Sequence, residues 1–129
     1  MGEIRRELRV LVVDDDESVR LLIAEEFREA HYRVFTAANG PEAIEVLGRE
    51  PVDALITDYG MPRMNGLELI RWSRARLPHL ITVLVTGHDP EAVAPEGWND
   101  RDLPILQKPF SVDHLLLLVG ELHQATPTA

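Results

Sequence analysis

The sequence predicts an α/β fold built on a doubly wound, five-stranded parallel sheet, and three observations predict it. Five short apolar, β-branched runs alternate with longer stretches of helical periodicity. Several runs carry apolar residues at consecutive positions, as strands covered by helices on both faces do. At 129 residues with 45% hydrophobic content, the chain can bury one core and is short for two.

The first strand is expected over residues 9–13. The Asp run behind it can cap a helix over 17–30, where Val19, Leu22, Ile23, Phe27 and Ala30 form one stripe and Glu26 intrudes against the pattern. A second strand over 33–37 leads to Asn39-Gly40-Pro41, a helix start with Pro41 at the first helical position, where its missing N–H is not needed. That helix runs to about Arg49. The third strand covers 54–57, and the third helix runs over 66–76 and stops before Pro78. After a fourth strand over 81–85, Pro90, Pro95 and Gly97 fall where a fourth helix should lie and reduce it to one or two turns. A fifth strand over 104–106 and a helix capped by Ser111 complete the domain, expected over 8–123 between a polar extension at 1–7 and a disordered tail at 124–129.

Right-handed crossovers leave few ways to wire such a sheet, and the flavodoxin-like order 2-1-3-4-5 is expected. Its switch point lies between strands one and three, where ligands bind at the carboxyl ends. Asp14, Asp15 and Asp58 would meet there. Two unit charges about 5 Å apart at an effective dielectric near 20 repel by roughly 3 kcal/mol, so such a cluster needs protonation or a cation. Mg²⁺ suits an open set of carboxylates, because it retains waters and takes few protein ligands. A solvated acidic loop at a helix start is the alternative for the Asp run alone.

Composition excludes several classes. A formal charge of −9 gives no footprint for a phosphate backbone, so direct nucleic-acid binding is not expected. With no cysteine there is neither disulfide nor thiolate chemistry. No apolar run approaches a membrane span and the start lacks a signal core, which makes a cytoplasmic location, away from membranes, the expectation. Catalytic triads, phosphate-binding loops and dinucleotide glycine fingerprints are missing too.

Leu11-Val12-Val13-Asp14-Asp15, Asp58 followed by Met61-Pro62-Arg63-Met64-Asn65-Gly66, Val85-Thr86-Gly87 and Lys108-Pro109-Phe110 recur in this order at strand ends. Together they resemble the receiver domain of response regulators in bacterial two-component signalling, over residues 8–123. The resemblance implies Asp58 as phosphoryl acceptor, with Asp14, Asp15, Asp58 and the Gly60 main-chain carbonyl holding Mg²⁺ or Mn²⁺. It implies that Thr86 and Lys108 contact the phosphoryl oxygens, that the Lys108-Pro109 bond is cis, and that the donor is a phosphohistidine on a histidine kinase or phosphotransfer protein. It implies no independent metabolic activity, only catalysis of the domain's own phosphorylation and dephosphorylation. Taken singly, Thr86 reads as a buried strand-end threonine and Lys108 as a surface lysine.

The chain departs from that family pattern at Ile105, where an aromatic residue is usual, and in its degraded fourth helix. An aliphatic repacking would then stand in for the aromatic swing, and an interaction module that works without phosphorylation is the second reading. A third, a haloacid dehalogenase-like phosphatase with Asp14 as nucleophile, lacks the acidic pair it needs near the last strand. His88 reads either as an exposed loop histidine or as a group that orients water. On the fifth helix Val112, Leu115, Leu116, Val119 and Leu122 point inward, which leaves Leu117 outward as a lone exposed leucine or as a patch for docking or self-association.

Overall fold

The computed structural model describes residues 7–125. Strands and helices alternate as β1 (Arg9–Val13), α1 (Glu17–Glu29), β2 (Arg33–Ala37), α2 (Gly40–Arg49), β3 (Ala54–Asp58), α3 (Gly66–Arg76), β4 (Ile81–Thr86), α4 (Pro90–Val93), β5 (Ile105–Gln107) and α5 (Val112–Ala125). The five strands form one sheet in the order β2-β1-β3-β4-β5, with every pairing parallel. This is the expected order, and it places the ends of β1 and β3 side by side, with Val13 opposite Thr57.

Side chains that alternate along the strands feed two cores. Leu11, Val13, Leu55 and Leu84 pack with Ala43, Val46, Leu69 and Ile70 of α2 and α3 on one face. Val10, Val12, Ile56, Val83 and Val85 pack with Ile23, Phe27, Leu115 and Val119 of α1 and α5 on the other. The unbroken apolar runs follow from this double burial.

The boundaries differ from expectation in instructive places. β3 and β4 each extend one residue, to Asp58 and Thr86. β5 begins at Ile105, one residue late, because Pro104 has no N–H to donate and contributes only its carbonyl, to the Leu84 N–H at 3.0 Å. In α2 the first helical residue is Gly40, so Pro41 is second, while Asn39 caps through the Glu42 N–H. α1 buries Ile23, Ala24 and Phe27, whereas Leu22 is exposed on the far side and Ala30 sits exposed at the cap. The stripe is thus centred between Ile23 and Ala24, which moves Glu26 to its half-buried flank. α4 is a single turn, followed by Gly97 at φ +75°, a left-handed conformation that favours glycine. α5 runs to Ala125, so Gln124 and Ala125, expected in the tail, are helical. Residues 1–6 and 126–129, the remainder of the expected extension and tail, lie outside the described residues.

Candidate functional site

Each predicted side chain reaches the site from the carboxyl end of a strand. Asp14 follows β1, Asp58 closes β3, Thr86 closes β4 and Lys108 follows β5. The neighbouring backbone is hydrogen-bonded across these ends: Tyr59 N–H donates to the Val85 carbonyl at 2.7 Å, and Lys108 N–H to the Thr86 carbonyl at 2.7 Å. The Lys108-Pro109 peptide bond is cis.

Asp14, Asp15 and Asp58 offer carboxylate oxygens that all lie within 4.8 Å of one another. Asp14 and Asp58 are buried and Asp15 is exposed, so the cluster opens to solvent on one side. The Lys108 Nζ stands between the two buried groups, 3.2 Å from Asp14 Oδ2 and 3.1 Å from Asp58 Oδ1. Burial pushes the Asp58 carboxyl above its ordinary range; the Lys108 hydrogen bond opposes this and the charges of Asp14 and Asp15 add to it. Burial also pulls Lys108 down, but its hydrogen bond to Asp58 and the charges of Asp58 and Asp14 outweigh that and leave it raised.

When all three carboxylates are ionised, one ammonium leaves about two negative charges uncompensated, the charge of a divalent cation. Three clustered hard oxygen donors, one of them exposed, fit Mg²⁺ or Mn²⁺ as the resemblance implied.

Thr86 is buried at the rim, and its hydroxyl oxygen accepts the His88 N–H at 3.0 Å, which leaves the hydroxyl proton available as a donor. The His88 side chain is exposed, and Gly60 is exposed in the loop beyond Asp58. Ile105 is half-buried against the cluster containing Leu84, Val93 and Leu103, an aliphatic packing at the position noted in the sequence. Leu117 is 66% exposed, as expected of its outward position.

Sequence reasoning missed two supports. Arg20 Nη1 donates to the Asp14 carbonyl at 2.7 Å and holds the acidic loop from one turn inside α1. A basic residue shortly after an acidic loop was the available signal. Gly66 packs against the Asp58 backbone: a Cβ there would press on the Asp58 carbonyl oxygen. Its place in the motif marked it, but the reason is visible only in three dimensions.

The family model described as response regulator receiver domain matches residues 10–120. The chain is 36% identical over 116 residues to the response regulator receiver protein CpdR of Brucella abortus, covering 90% of this chain and 94% of that one. It is 34% identical over 110 residues to the DNA-binding transcriptional regulator NtrC of Escherichia coli K12, covering 85% of this chain and 24% of NtrC. Among solved structures, a response regulator receiver protein from Sinorhizobium medicae superposes with a TM-score of 0.85 at 27% identity, covering 94% of this chain and 98% of that one. The response regulator TrrA of Thermotoga maritima, solved in complex with Mg²⁺ and BeF, gives 0.77 at 30% identity, covering 89% and 98%.

Proposed function

Since the chain belongs to the response regulator receiver family, we propose that it accepts a phosphoryl group on Asp58 from a phosphohistidine of a histidine kinase or phosphotransfer protein, with a divalent cation bound at Asp14, Asp15 and Asp58. The observation that carries the reading is the convergence of Asp58 with two further carboxylates and the Lys108 ammonium, 3.1 Å away.

In the proposed step an Asp58 carboxylate oxygen attacks phosphorus in line. The P–N bond to the donor imidazole breaks, and that nitrogen leaves with the electron pair. Lys108 passes from the Asp58 oxygen to the phosphoryl oxygens, and the Thr86 hydroxyl donates to another of them. Asp14 remains a ligand rather than a nucleophile, since its oxygens are already engaged by Lys108 Nζ and by the Asp16 N–H at 2.9 Å. The Gly60 carbonyl completes the proposed ligand set. The bound cation supplies charge neutralisation at the transferring oxygens.

Intact-mass analysis after incubation with acetyl phosphate tests this. One added, hydroxylamine-labile phosphoryl group is expected in the presence of Mg²⁺ and none in Asp58→Asn. No adduct under any condition, with partner binding retained, would favour the phosphorylation-independent module. An adduct that survives Asp58→Asn and disappears in Asp14→Asn would assign the nucleophile to Asp14.

A further inference from the structure

At the other end of β4 from the acceptor site lies a second polar arrangement. Arg74 of α3 is half-buried, and its Nε and Nη2 donate to Thr82 Oγ1 at 3.1 and 2.7 Å. Nη2 also donates to the Asp102 carbonyl. Both acceptors are neutral oxygens, and no carboxylate closes an ion pair on this guanidinium among the described residues. Its Nη1 has no protein acceptor among them either. Burial lowers the Arg74 pKa, and the charge of Asp102 offsets this only in part. No buried side-chain nitrogen among the described residues lacks a partner, so Nη1 meets solvent, and a half-buried guanidinium with donors still open is suited to receive an anion.

A cleft of about 300 Å³ opens beside it, lined by Arg74, His79, Thr82, Arg101 and Asp102 together with proline and leucine side chains. Thr82 precedes Thr86 by four residues, so the cleft is about 13 Å along the strand from the acceptor site. Two guanidiniums and one carboxylate give this lining a charge of +1 with histidine neutral, in a chain whose formal charge is −9. A phosphate dianion would overcompensate that charge, whereas one carboxylate matches it. The Pro78, Pro104 and Leu122 walls suit an apolar body attached to the carboxylate.

We propose that this cleft is a second ligand site that binds an organic monocarboxylate, received by Arg74 Nη1 and the Arg101 guanidinium. The site does not depend on phosphorylation of Asp58.

Amide chemical-shift titration of the full chain with phenylacetate tests the assignment, with phenylacetamide and inorganic phosphate as controls. Saturating shifts at residues 79–82 and 101–103 are expected with phenylacetate and not with phenylacetamide, with a dissociation constant on the order of 1 mM. Arg101 and Asp102 are both exposed, so their replacement leaves the fold intact. Arg101→Gln should weaken binding about tenfold, and Asp102→Asn should tighten it a few-fold by removing the opposing charge. The capped tripeptide acetyl-Leu-Glu-Leu-amide separates the sources: tighter binding than phenylacetate points to a partner's acidic side chain, and weaker binding to a free acid, both through the same carboxylate site. Equal shifts with phenylacetamide, preferential binding of phosphate, or unchanged affinity in both Arg101→Gln and folded Arg74→Lys would overturn it.

Discussion

Asp58 carries a stability cost as the counterpart of its proposed reactivity. Burial raises its carboxyl pKa above the ordinary 3.8 despite Lys108. The folded state therefore holds the proton more tightly than the unfolded chain, and stability falls as pH rises through that raised value. Asp58→Asn removes the charge and keeps the shape. It should unfold about 1 kcal/mol less readily than the parent at neutral pH in the absence of divalent cation, and the gain should vanish as pH approaches 3.8. Urea denaturation at a series of pH values measures this, and a gain that persists unchanged at low pH would show that the site is not strained by its charge.

At the level of elements, α3 begins directly against the backbone of Asp58, the proposed acceptor. Its Asn65–Glu68 capping box sets the start, and Gly66 lets the helix touch the Asp58 carbonyl. Gly66→Ala would press a Cβ against the Asp58 backbone, which cannot yield cheaply, as well as against Leu84 Cδ1. A loss of about 1–3 kcal/mol or more is expected. In α2, Gly48 has nothing within 4 Å of the same added atom, so Gly48→Ala should instead gain roughly 1 kcal/mol from helix propensity. Chemical denaturation of both variants checks the opposite signs. Helices with strong punctuation were legible in the sequence: Asn39 before α2, Pro78 after α3, and the prolines that shorten α4. The burial stripe of α1 was not, because Leu21, Leu22, Ile23 and Ala24 offer several equally apolar faces and only the sheet selects one.

For the whole molecule, the sheet brings three carboxylates and one ammonium to a single edge, and a bound divalent cation should stabilise the fold by mass action. At one hundred times its dissociation constant the gain is about 2.7 kcal/mol, or several degrees in Tm for a domain of this size. Differential scanning calorimetry with and without Mg²⁺ should show that rise in the parent and its loss in Asp14→Asn. An equal rise in both would place the ion elsewhere.

Strand count, helix order and the residue proposed as acceptor were legible in the sequence itself, because parallel strands buried on both faces write themselves as apolar runs and the motif residues stand at their ends. Asp58 and Lys108 could be named from their motifs. Their contact at 3.1 Å, the closeness of Gly66 to the Asp58 carbonyl and the support from Arg20 were decided by tertiary structure. The same holds for Arg74, whose neutral acceptors and neighbouring cleft come from three separate segments. Such features depend on the distance between residues far apart in the chain, and that distance is set by the order and packing of the sheet rather than by any local pattern.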